Sequence, residues 1–195
     1  MRSRSTGAAA ALAGAVAALL VLAGCTGKDA VDQGGGQYRF VSGTSLGKTY
    51  PLGERKKAGD FTGELLNGGT LSLSELTGKV VVVNFWAAWC GPCKTETPAF
   101  DTVYRAYRAK GVSFVGIDTK DQRSQAQAFV KDNQISYPMI FDEPGETALA
   151  LGKIPALALP FTVLIDKQGR VAAVYLERLQ PADLQPVLNS LLAES

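Results

Sequence analysis

Apolar positions follow two regimes along this chain of 195 residues. Near the start they form one unbroken run, Ala8 to Ala23, rich in Ala and Leu and free of charge. From Gly59 onward they come in short runs separated by polar, Gly-bearing breaks, the spacing of a folded domain. Between these regimes no period is sustained. Gly34-Gly35-Gly36, Gly43, Gly47 and Gly53 interrupt Thr26 to Lys57, and Glu54-Arg55-Lys56-Lys57 is a solvated charge cluster. This stretch reads as a tether, in which only Tyr38–Val41 has the makings of a short strand.

The compact regime opens with a hairpin pattern, Phe61 to Leu66 and Thr70 to Leu73 around Asn67-Gly68-Gly69. Ser74-Glu75-Leu76 follows as a helical turn ended by Gly78. Val80 to Phe85 is continuous and β-branched, as in a central strand buried on both faces. A helix then runs to about Lys110 and stops at Gly111, with Pro98 inside it as a source of kinking. Val112 to Ile117 is the next strand, and Ser124 to Asn133 a helix with Ser124 as cap and Ala128 and Phe129 inward. Met139–Phe141 reads as a short strand and Glu146–Leu151 as a short helix stopped by Gly152. Phe161–Ile165 and Val171–Leu176 form an antiparallel pair about Lys167-Gln168-Gly169. The last helix covers about Pro181 to Leu192, where Pro186 implies either a kink or a later start. Strand–helix–strand followed by a hairpin and a helix specifies an α/β fold, a mixed sheet with helices on both faces.

Composition changes the picture at the N-terminus. Arg2 and Arg4, the apolar run and the small residues that close it describe an export signal. The other reading is a retained transmembrane helix, for which the run is short of the ~20 residues required. Either one places the globular part outside the cytoplasmic membrane. The chain has 20 basic and 18 acidic residues, so without Arg2 and Arg4 the charges balance, and nothing calls for nucleic acid as partner.

The candidate chemistry lies in Trp89-Cys90-Gly91-Pro92-Cys93, where the strand ending at Phe85 gives way to a helix. A helix N-terminus offers unpaired N–H groups and partial positive charge, both of which stabilise a thiolate. Cys90 is expected at the exposed tip and Cys93 one turn further in, more shielded, with Gly91-Pro92 as a stiff bend. The chain has three cysteines and no histidine, which excludes Cys–His and Ser–His hydrolases and His-ligated haem, and leaves a tetrahedral zinc site short of the second Cys pair or two His it needs. The pair reads as a redox dithiol. Trp86 is expected in the core and Trp89 over the disulfide.

Several separated motifs carry a family resemblance. They are Gly59-Asp60-Phe61, Gly78 to Trp86 followed by Trp89 to Cys93, and Pro160 to Asp166 with Gly169-Arg170-Val171 behind. Together they resemble the thioredoxin fold with an extra N-terminal hairpin, and more narrowly the membrane-anchored thiol–disulfide oxidoreductases of the TlpA/ResA type. Leu22-Ala23-Gly24-Cys25 likewise resembles the lipobox of bacterial lipoproteins, whose Cys receives the lipid. The resemblance divides the chain into a signal at 1–24, a tether at 25–57 and a thioredoxin-like domain at 58–195. It makes Cys90 the attacking thiolate, Cys93 the resolving thiol and Pro160 the cis-proline beside them, with Pro155 as a rival. The backbone of Leu159 would meet an extended substrate segment near Trp89, Gly91 and Pro92. Leu159 is bulkier than the Thr or Val common there. Where thioredoxins carry a buried Asp, this chain has Asn84, which takes no proton. Glu96 matches an acid of the TlpA/ResA group and is either the proton carrier for Cys93 or an ordinary solvated acid favoured by the helix dipole.

The implied reaction is dithiol–disulfide exchange with substrate proteins, in the reductive direction, with no cofactor of its own. Electrons would come from a membrane reductase of the CcdA/DsbD class, and apocytochrome c is the target by family analogy. The rival readings are an oxidative folding catalyst and a thiol peroxidase. For the peroxidase, Ala87 stands where a Thr or Ser is needed, three residues before Cys90.

Overall fold

Val80 to Trp86 alternates its side chains between the two faces of a sheet, and all seven are buried. In the computed structural model, which describes residues 47–152, 154 and 158–194, this strand (β4) lies at the centre of an eight-stranded sheet. The other strands are β1 (Gly47–Thr49), β2 (Thr62–Leu65), β3 (Thr70–Ser72), β5 (Val112–Thr119), β6 (Met139–Asp142), β7 (Phe161–Ile165) and β8 (Val171–Tyr175). Their order is β1-β8-β7-β4-β5-β6-β2-β3. β4, β5 and β6 run parallel, and the remaining pairs are antiparallel.

The helices are α1 (Cys93–Tyr107), α2 (Arg123–Asp132), α3 (Glu146–Ala150) and α4 (Pro181–Ala193). Val80, Val82 and Trp86 pack on one side of the sheet with Phe100 and Val103 of α1, Ala126 of α2 and Leu184, Leu188 and Leu191 of α4. Val81, Val83 and Phe85 pack on the other with Phe61, Leu73, and Ala148 of α3. Each fully buried Val, Leu or Phe contributes about 1.5–3 kcal/mol, so a polar residue in this series is a costly exception. Asn84 is that exception, and the alternation turns it toward α1. Among the described residues no helix is long and apolar enough to cross a membrane.

The expected hairpin, mixed sheet and flanking helices are all present. α1 passes through Pro98, tightens to a 3-10 turn at Arg108–Lys110 and stops at Gly111, whose φ of 93° favours glycine. Other expectations need correction. α2 starts at Arg123 with Gln122 as its cap, not at Ser124, because Asp121 accepts the Gln122 N–H and Gln122 O accepts from Gln125 and Ala126. Its inner face carries Ala126 and Phe129, whereas Ala128 is exposed. α4 begins at Pro181, held by a reciprocal cap between Gln180 and Asp183, and Pro186 lies inside it.

The largest correction concerns the tether. Residues 47–57 belong to the fold: β1 pairs with β8, Lys57 bridges Arg170, and Tyr50 is buried. The Arg55 guanidinium, also buried, bonds Asp166 and Glu194. The Gly-broken pattern hid this because a three-residue edge strand needs only a partner, not a period. Cys25, Tyr38–Val41, Pro155 and the expected signal lie outside the described residues.

Candidate active site

The dithiol stands at the C-terminal end of β4, where the chain turns through Ala87 to Pro92 into α1. Cys90 and Cys93 are joined as a disulfide with Cα atoms 5.3 Å apart. The backbone N–H of Cys93 points at the Cys90 sulfur at 3.3 Å. One of the otherwise unpaired donors at the head of α1 therefore already faces the atom that becomes a thiolate on reduction. Cys90 is not the exposed tip the sequence implied: it is 3% exposed and Cys93 is fully buried, both within the α1-side core against which Leu159 packs. The exposed residues at this corner are Gly91, Pro92 and Trp89.

Trp89 keeps 56% of its surface in solvent, and its indole N–H donates to Lys120 O at 2.8 Å. With Lys120, Leu149, Leu159 and Phe161 it lines a cavity of about 270 Å³. Trp86 is fully buried, as expected, and tilts against Phe129 with ring centroids 5.1 Å apart. The Leu159–Pro160 peptide bond is cis.

Glu96 is fully buried, so it is no ordinary solvated acid. Its two oxygens accept from Asn84 Nδ2 at 2.8 Å and from the Leu179 backbone N–H at 2.6 Å. Asn84 also donates to Thr162 Oγ1 on the adjacent strand β7. Burial pushes the Glu96 carboxyl up to about 7, and the two hydrogen bonds and the Arg178 charge pull the other way. Asn84, which takes no proton itself, thus orients a carboxyl poised to exchange one near neutral pH, one helical turn from Cys93. The Leu179 amide was illegible in sequence, since it comes from the loop before α4.

Two further acids escaped the sequence reading. Asp118 continues β5 two places beyond Gly116 and lies opposite Trp86 in the parallel register, fully buried. Its carboxyl is raised to about 8, first by burial and then by the charge of Asp121. Asp121 accepts from the backbone N–H groups of Ala88 and Gln122, at 2.5 and 2.7 Å. The signal is the alternation itself: Val112 and Phe114 point toward α1, so Asp118 does too, although the apolar pattern of the strand ends at Ile117. Among the described residues no group of His, Cys, Asp and Glu is arranged to hold a metal ion.

The sequence profile of the AhpC/TSA family matches residues 55–174. The thiol-disulfide oxidoreductase ResA of Bacillus subtilis is 30% identical over 78% of this chain and 83% of its own. ResA from Bacillus thuringiensis is 36% identical over 60% of this chain; the match spans 65% of that relative's length, a little under two thirds. Among solved structures, a DsbF homologue from Corynebacterium diphtheriae aligns with a TM-score of 0.73 at 39% identity, over 79% of this chain and 99% of that one. A secreted thiol-disulfide isomerase from Corynebacterium glutamicum aligns with a TM-score of 0.75 at 35% identity, over 82% and 100%.

Proposed function

Because the chain belongs to the AhpC/TSA family, with the thioredoxin fold and a protein-disulfide oxidoreductase's dithiol, we propose that it reduces disulfides of substrate proteins on the outer side of the cytoplasmic membrane. The observation that carries this is the Cys90–Cys93 pair at the head of α1, one turn from a buried acid held by Asn84 and Leu179.

In the reduced protein the Cys90 thiolate attacks one sulfur of a target disulfide. A mixed disulfide forms and the first target thiolate leaves. Cys93 gives up its proton and attacks Cys90, the mixed bond breaks, and the second target thiolate leaves. The target gains two electrons and leaves as two thiolates, one of which takes the proton held by Glu96 and the other a proton from solvent, and the protein is left as the disulfide seen here. Glu96, with a midpoint near neutrality, takes the Cys93 proton during the second step. Leu159 and Pro160, with Trp89, Gly91 and Pro92, form the surface that an extended target segment crosses.

The direction follows from the Gly-Pro pair between the cysteines, which this chain shares with thioredoxin, a reductant at about −270 mV, against about −120 mV for the oxidant DsbA. A reductant in that compartment draws electrons through the membrane, which fits a donor of the CcdA/DsbD class, and apocytochrome c thiols are the target that the resemblance offers. Lipid attachment at Cys25 would keep the domain near that donor. The test is to equilibrate the full chain with glutathione or dithiothreitol buffers and, separately, to follow insulin disulfide reduction. A potential near that of thioredoxin with turnover of insulin is the expected result; a potential near that of DsbA overturns the direction. A Cys93→Ser variant should accumulate the mixed disulfide and identify the target.

A further inference from the structure

Two carboxyls meet in the α1-side layer just behind the dithiol loop. Neither oxygen of Asp118 faces a hydrogen-bond donor, although the residue is fully buried. Beside it Asp121 uses both oxygens, one on Ala88 N and the other on Gln122 N. A buried carboxylate without a donor is too costly to persist ionised. Next to a second carboxyl that already accepts two N–H bonds, Asp118 is stable as the acid, donating its proton to Asp121. The other groups around it do not change this. Arg123 at the head of α2 acts on Asp118 through space, while its own N–H groups go to Glu64 and to Leu65 O. Lys120 contributes its carbonyl, to Trp89. On β4 the facing residue is Trp86, and on β6 it is Phe141, neither of which titrates. Glu96 and Tyr137 lie in the same layer, and Tyr137 keeps its proton well beyond neutrality through burial.

The consequence reaches Cys90 through the backbone. Ala88 is two residues before the thiol and Trp89 one, and both are anchored to the segment after β5, through Asp121 and Lys120 respectively. We propose that Asp121 is a positioning residue for Cys90, fixing the loop that presents the sulfur, and that Asp118 is the acid that keeps Asp121 in place. Loss of the Asp118 proton removes its hydrogen bond to Asp121 and sets an unsolvated charge against that acceptor, and the clamp on Ala88 loosens.

The full chain has two tryptophans, Trp86 and Trp89, and both border this pair. In the oxidised protein the cysteines do not titrate, so tryptophan emission between pH 5 and 9.5 reports the carboxyls without reference to exchange activity. Wild type is expected to show a transition near pH 8 that persists in Glu96→Gln and disappears in Asp118→Asn, whose amide donates to Asp121 with no proton to lose. A transition retained in Asp118→Asn, or absent from wild type, overturns the proposal. In reduced protein at pH 7, Asp121→Asn, which replaces one acceptor oxygen by a donor, is expected to slow attack of Cys90 on a small aromatic disulfide at least tenfold. A rate within twofold of wild type overturns the positioning role. If Asp121→Asn fails to fold, the Asp118→Asn titration decides alone. The emission arm is independent of the reductive reading above, so either can fail without the other.

Discussion

Glu96 beneath the dithiol and Asp166 at the β7–β8 turn are both buried carboxyls, yet the protein treats them in opposite ways. Asp166 accepts from the Arg55 and Arg170 guanidinium groups and from the Gln168 and Arg170 backbone N–H groups. Those partners outweigh the burial and hold its carboxyl below the usual range. Glu96 has two neutral donors and only the charge of Arg178 nearby, so burial wins and its carboxyl rises to about 7. The first arrangement keeps a fixed charge and ties residues 47–57 and the C-terminus to the sheet. The second leaves a proton nearly free to come and go beside a thiol. Burial alone therefore does not set the charge of an acid; the number and charge of its donors do.

The contrast breaks most visibly at Arg55. Arg55→Ala takes a guanidinium from Asp166 and Glu194, and removing one partner of a buried pair costs about 3–5 kcal/mol; because Arg170 stays on Asp166, the low end is expected. Urea unfolding measures it, and the redox potential should not move.

The pH dependence of stability tests the other acid. The folded-state pKa of Glu96 lies above its unfolded value of 4.5, so the native state binds this proton more tightly. Stability from this group is therefore greatest below about pH 4.5 and is lost as the pH rises through about 7, by about 3 kcal/mol in all. Glu96→Gln should flatten that slope in urea titrations at a series of pH values, and should also remove the neutral-pH inflection from the alkylation rate of Cys93. Asp166 has the opposite sign: its lowered pKa gives stability that is present above the unfolded value and lost as the pH falls. A wild-type slope unchanged by Glu96→Gln would end the comparison.

Smaller effects sharpen it. Asn84→Ala removes a donor to the ionised carboxyl, worth about 1.5–3 kcal/mol, and should raise the Glu96 midpoint by about one to two units, read from its side-chain carboxyl carbon by NMR. Asp183→Ala breaks the cap on α4 four residues past Leu179 at a cost of about 1 kcal/mol. It should lower the melting temperature and leave the Glu96 midpoint where it was.

Much of the site was legible before folding. Cys90 and Cys93 at a strand–helix junction, Pro160 before an apolar strand and Glu96 one turn past Cys93 each occupy positions set by local pattern; in the structure the two cysteines are joined, and Phe161, next to Pro160, pairs with Phe85 near the end of the strand that leads to them. What escaped depended on contacts distant in sequence. Asp118 and Asp121 lie beyond Val112–Ile117, the strand that the apolar pattern marks, and only the fold sets one opposite Trp86 and the other on Ala88 N. Arg55 read as part of a solvated charge run until β1 joined the sheet and closed Asp166 and Glu194 around it.

Periodicity, Gly and Pro placement and the cysteine spacing determined the element order, the central strand and the chemistry at its end, because each depends on neighbours within a few residues. Tertiary structure alone decided which acids stay charged and that Cys90 is covered. It also decided that residues 47–57 belong to the fold, because burial and donors supplied across the fold set those outcomes.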